Sequence, residues 1–180
     1  MTRRTALFLS ALAPIARSGL AFQGNAPRNR VSPHETVSAD VGGDKITISY
    51  GRPYLKGRKV GNEVAPYGQV WRLGADEATK ITVTRSTTIE GGPVLSPGSY
   101  SLFAIPGPDK WTLIVNKVAD QWGAFKYDQS QDLGRFDLNV QHPSSPAEQF
   151  TITLTTASNN TAKLTLAWGD ASVSTTLRAS

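Results

Sequence analysis

No cysteine occurs in the 180 residues, so no disulfide can staple the chain and no thiolate can ligate a metal. Histidine occurs twice, as His34 and His142, and neither has a partner at ligand spacing, so no metal site is expected. Long apolar runs are missing as well. The most apolar stretch, Thr5–Ala16, is interrupted by Pro14 and followed by Arg17. It falls short of the roughly 20 apolar residues that span a bilayer, which excludes a membrane-spanning helix. No window long enough for a helix shows an apolar i, i+3, i+4 stripe. A phosphate-binding loop, a dinucleotide glycine fingerprint and a nucleophile elbow around serine are all absent, and no cofactor is expected. A surplus of one charge sign is also lacking. Arg3, Arg4 and Arg17 account for three of the 19 basic side chains, leaving 16 against 14 acids. That balance excludes a nucleic-acid footprint.

What remains is organised simply. Residues 1–21 open with Arg3-Arg4, continue through an apolar stretch and end on Gly19-Leu20-Ala21, a small-x-small pattern. They have the form of an export signal, and Thr-Arg-Arg-x-x-Leu is similar to a twin-arginine leader. A periplasmic or secreted protein is therefore expected. Residues 22–32 are polar and form a linker, and 33–180 form a single domain. That domain is a succession of short alternating runs: 36–41, 45–50, 70–73, 80–84, 87–89, 99–105, 111–116, 133–140, 150–156, 161–168 and 172–177. Gly42-Gly43, Gly91-Gly92, Ser96-Pro97-Gly98 and Asn159-Asn160 supply turns between them. The pattern is all-β, an antiparallel two-sheet sandwich of jelly-roll-like character. Ser99–Ile105 is apolar on both faces, which suits a central strand covered on both sides.

Tyr50–Thr84 is the densest region in arginine, aromatic rings, glycine and carboxylates. Arg52, Lys56, Arg58 and Lys59 place four cations together without an acid between them. A rigid sheet holding such a loop is where binding and chemistry concentrate. Gln121–Asp128 is a second aromatic loop, carrying Trp122, Phe125 and Tyr127.

YGRP, KGR, APYGQVWRLGADEAT, SPGSYSLFAIPG, WTLIVNK and QWGAFKYD occur in this order over residues 32–140. In that order the motifs resemble the bacterial family designated DUF2911, a domain of unknown function. The resemblance implies an exported protein and brings no activity, substrate or cofactor. Two positions depart from the family pattern: Asp76 stands where the family's GANEAT has asparagine, and Glu63 interrupts an otherwise apolar segment.

The candidate ligand-binding residues are Arg52, Tyr54, Lys56, Arg58, Trp71, Arg72, Glu77, Trp122 and Tyr127. Guanidinium forks suit a carboxylate or phosphate, and aromatic rings suit flat ligands or sugar faces. The bland alternative is that the arginines pair with Asp76, Glu77 or Asp128 and tie the loop down. Arg72 is expected to be paired inside the domain, with Glu77 as its partner. Glu77 and Asp128 are candidate catalytic residues, since a glycosidase needs two carboxylates about 5–9 Å apart. Three functions are therefore open: a non-catalytic module binding a small anionic or sugar-like (glycan) ligand, a glycosidase-like hydrolase, and a purely structural envelope protein.

Overall fold

A computed structural model describes residues 30–179 of the chain. The expected export leader and the first part of the linker lie outside the described residues. Thirteen strands follow one another: β1 (His34–Val41), β2 (Asp44–Gly51), β3 (Val60–Gly61), β4 (Val64–Pro66), β5 (Thr79–Val83), β6 (Thr87–Ile89), β7 (Val94–Leu95), β8 (Gly98–Ile105), β9 (Lys110–Asn116), β10 (Asp132–Asn139), β11 (Ala147–Ser158), β12 (Thr161–Gly169) and β13 (Ala171–Ala179). They form a six-stranded sheet, β1-β2-β5-β8-β9-β10, and a five-stranded sheet, β11-β12-β13-β6-β7, both antiparallel. β3 and β4 make a small parallel ribbon. The expected antiparallel sandwich is what forms. Among the described residues there is no α-helix, and no helix is long and apolar enough to cross a membrane.

Alternation explains the packing. Ile46, Ile48 and Tyr50 of β2, Ile81 and Val83 of β5, and Trp111, Leu113 and Val115 of β9 face the five-stranded sheet and are buried. Leu164, Leu166 and Trp168 of β12 meet them from the other side. The β1–β2 hairpin turns on Gly42 and Gly43, with φ of 58° and 78°. Positive φ at both central residues is what a two-residue turn matched to strand twist requires. Tyr50 joins the sheets: its hydroxyl accepts from the Ile152 N–H at 2.9 Å and donates to Glu35 at 3.0 Å. Burial, opposed in part by the Ile152 contact, pushes the phenol up to about 12.

β8 is covered on both faces, as its composition implied. Leu102 and Ala104 belong to the main core, while Phe103 joins Ala78 and Ile114 in a second cluster on the outer face. Tyr127 of the Gln121–Asp128 loop closes that cluster, its ring 5.0 Å from Phe103.

The expected strand at 70–73 does not form. Only Trp71 pairs, exchanging two backbone hydrogen bonds with Ala104 at 2.7 and 2.9 Å. Leu73 has φ of 54°, a left-handed conformation that ends extension at once.

Candidate functional site

The 50–77 stretch is pinned to the sandwich by arginine, though Arg52, Arg58 and Arg72 do not form ion pairs with Asp76, Glu77 or Asp128. Arg52 forms an ion pair with Glu35 at 2.8 Å and donates to Phe150 O and Thr151 Oγ1. It therefore fastens the end of β2 to β11. Lys56 carries φ of 51°, and its backbone N–H is held by Glu148 at 2.8 Å. Tyr54 bridges Gln149 through the backbone and is 40% exposed. These three lie along the seam between loop and sheet, outside the cavities described below.

Trp71 sits in an aromatic cluster. Its ring stacks on Trp168 at 5.2 Å with an interplanar angle of 18°, and meets Trp111 and Phe150 edge-on. Its own indole N–H donates to Gly74 O at 3.1 Å.

The expected Arg72–Glu77 pair is absent. Arg72 Nη1 donates to the backbone oxygen of Asp76 at 3.2 Å, and no carboxylate lies within ion-pair distance of its guanidinium among the described residues. The reason is the turn. Asp76, at φ of 63°, rotates the chain so that its carbonyl meets Arg72 while Glu77 is carried to the outer face of the six-stranded sheet. There Glu77 is gripped by Arg30 through bonds of 2.9 to 3.2 Å and lies 3.5 Å from His34.

Asp76, named from the sequence as a departure from the family pattern and as a possible arginine partner but not among the candidate site residues, bonds backbone amides and a histidine instead. Its carboxylate accepts from the backbone N–H groups of Val31 and Ser32 at 3.3 and 3.2 Å, and from His34 Nε2 at 3.1 Å. Burial pushes its carboxyl up, yet the bonds from His34, Ser32 and Val31 outweigh this and hold it below its ordinary value. Glu77 is likewise pushed up by burial and brought down further by Arg30, to a net lowering. A further signal for Asp76 was its place after Gly74-Ala75, since asparagine and aspartate tolerate the left-handed turn. Nothing in the sequence marked Arg30, which lay in the linker.

Among the described residues, two cavities adjoin this stretch. The outer cavity, about 460 Å³, is walled by Arg30, His34, Glu77, Lys80, Asp120 and Trp122, over Ser49 and Tyr50. Its charges are matched: Arg30 with Glu77, and Lys80 with Asp120 at 3.1 Å. The loop cavity, about 370 Å³, lies under residues 53–75 and is lined by Arg58, Glu63, Gln69, Trp71, Arg72 and Trp168 with Val64, Ala65 and Val70. Its charges are matched only in part: Glu63 feels the charge of Arg58, but among the described residues neither arginine forms an ion pair. Arg58 donates to the backbone oxygens of Leu55 and Tyr54, both at 2.9 Å, and Arg72 to that of Asp76. The one acid on the wall, Glu63, accepts from the Lys59 N–H at 2.9 Å, and this bond leads the causes that hold it below its usual range.

The chain belongs to the DUF2911 family. The family model, a protein of unknown function, matches residues 32–177. The match runs beyond the last motif, which ends at Asp128, and so takes in β12, which brings Trp168 to the loop cavity. No curated protein and no solved structure matches the chain.

Of the other candidates, Trp122 lines the outer cavity and pairs with Glu77 through the backbone. Tyr127 is taken up by Phe103, Asp132 and Arg135. Asp128 caps a short 3-10 turn at Gln129–Gln131, accepting from the Ser130 N–H at 2.9 Å. The structure therefore brings Arg58, Trp71 and Arg72 together in one cavity, and Glu77 and Trp122 in another. Asp128 joins neither. Among the described residues no group of three or more histidines and acids is placed to hold a metal ion.

Proposed function

We propose that this protein is an exported binding module that holds a small anionic ligand in the loop cavity. One observation carries the reading: Arg58 and Arg72 line a cavity of about 370 Å³ and neither has a carboxylate partner. Arg58 is exposed and Arg72 half-buried, so the argument from burial rests on Arg72: a half-buried arginine is ordinarily paired, because removing a guanidinium from water costs free energy that a carboxylate or phosphate restores. Here each guanidinium is only partly used, on backbone carbonyls that fix its direction and leave other N–H groups for a ligand. The cavity volume falls within the usual range for small-molecule sites, and its floor is apolar. An apolar floor weakens competition from water and strengthens a charge-assisted bond at the mouth.

The hydrolase reading has less support. Glu77 is lowered by Arg30 and Asp128 by its bond to Ser130, and a carboxyl held ionised is a poor proton donor at neutral pH. Matched charges in the outer cavity likewise give no preference for an anion.

Calorimetric titration with monocarboxylates, phosphate esters and neutral sugars tests the proposal. Anions are expected to bind and neutral sugars to give no heat. Arg58→Gln and Arg72→Gln are each expected to weaken anion binding by about 10- to 100-fold, the worth of a charge-assisted bond. Sugar binding indifferent to both substitutions would overturn it.

A further inference from the structure

Phe125 is the most exposed aromatic ring among the described residues, at 84%, and it takes no part in either apolar cluster. The backbone that carries it is nevertheless fixed. Gly123 N donates to Asp76 O at 3.0 Å, and Tyr127 N to Ala124 O at 3.2 Å, closing a turn with Phe125 at its second position. Tyr127 is itself held by Asp132 at 2.7 Å. A ring kept in water by an anchored turn has little freedom left to lose on binding, which is how preorganisation adds to affinity.

The ring also has a defined neighbour. A β-carbon on Gly123 would stand 3.0 Å from Cδ2 and Cε2 of Phe125 and 3.2 Å from Nη1 of Arg72. Ring and guanidinium therefore flank the same small space. Arg72 lines the loop cavity, as does Ala124, which precedes Phe125. Ala124 and Val70, also on the cavity wall, pack against the Phe103 cluster.

Resting on the anion-binding reading, we infer that Phe125 selects the ligand: the site takes an anion whose apolar group, aromatic or branched, is joined directly to its carboxylate or phosphate. The charged head meets Arg72, and the adjoining apolar group lies against the Phe125 ring and Ala124. The attachment is close because the ring stands beside the guanidinium. Covering an exposed ring is favourable in proportion to the apolar area removed from water. An aromatic group gains further from edge or offset stacking. A small anion such as acetate has little with which to cover the ring and gains only the charge-assisted bonds.

Calorimetric titration of acetate and benzoate into the wild type, Phe125→Ala, Phe125→Tyr and Arg72→Gln separates the two contributions, with the Phe125 ring protons followed by NMR. Benzoate is expected to bind about tenfold tighter than acetate, the worth of partly covering one ring. Phe125→Ala should bring benzoate down to the level of acetate and leave acetate unchanged, whereas Phe125→Tyr should keep the preference. Because the ring is in water, the alanine variant keeps the fold. Arg72→Gln should weaken both anions by a similar factor. Benzoate binding equal in the wild type and Phe125→Ala, but weakened by Arg72→Gln, would overturn this inference and leave anion binding standing. Unmoved Phe125 ring signals in the benzoate complex would do the same. Sedimentation altered by Phe125→Ala with benzoate affinity unchanged would make the ring a self-association contact instead. If neither anion binds, both readings fall together.

Discussion

Asp76 shows how much one side chain can hold. Its backbone takes the left-handed turn, its carbonyl receives Arg72, and its carboxylate gathers Val31, Ser32 and His34. Asparagine tolerates the same backbone conformation, so Asp76→Asn changes the acceptor and its charge while sparing the turn. At neutral pH this substitution is expected to cost about 1–2 kcal/mol, since bonds to a charged group are worth more than neutral ones. The pH dependence has a definite sign. The folded-state carboxyl is depressed below 3.8, so its contribution is fully present above that value and lost as pH falls through the folded pKa. Chemical denaturation at pH 7 and at about pH 3 should show the wild type losing more stability on acidification than Asp76→Asn. Equal losses would mean that the carboxylate does not act as an anchor.

Among the elements, the 117–128 connection depends most on specific polar contacts. Asn116, at the end of β9 and fully buried, donates to Asp128 O at 3.0 Å and Asp132 Oδ1 at 2.9 Å. Its Oδ1 accepts from Val118 N and Gln121 Nε2, both at 3.1 Å. Gln121 in turn reaches Ser101 on β8 at 3.0 Å. One amide thus holds both ends of the loop that covers Phe103 and supplies Trp122 to the outer cavity. Gly123, near the loop's tip, has φ of 68°, and a β-carbon there would stand 3.0 Å from the Phe125 ring and 3.2 Å from Arg72 Nη1. Asn116→Ala is expected to destabilise by about 2–4 kcal/mol, because it leaves several buried groups unpaired at once. Hydrogen exchange of the 117–128 amides should rise more than that of β9. A loss under about 1 kcal/mol with unchanged exchange would show that ring packing alone holds the loop.

At the scale of the molecule, two sheets enclose one continuous core without a disulfide to staple it. A chain of this size buries enough apolar surface to stand without one. The core and ladders described are made by residues from His34 onward. A chain beginning at Phe22 is therefore expected to unfold at the same temperature as the full-length protein. Export predicts that protein recovered from the periplasm or medium begins near Phe22, as intact mass would show. A full-length mass from the cytosol would refute export.

Local pattern alone determined the sandwich and most of its core. Period-two alternation puts Ile46, Ile48 and Tyr50 on one face whatever the partner strand, and Gly42-Gly43 dictates its turn. The second cover over Phe103 was legible for the same reason. The partners of the charged groups were not legible. Arg52 meets Glu35, Arg30 meets Glu77, and Arg72 meets no acid, because ion pairing depends on where a turn aims a side chain. Two left-handed residues, Leu73 and Asp76, set that aim, and Leu73 belongs to a type that rarely adopts such a conformation. Which arginine was left without a carboxylate partner was therefore decided only by the tertiary structure.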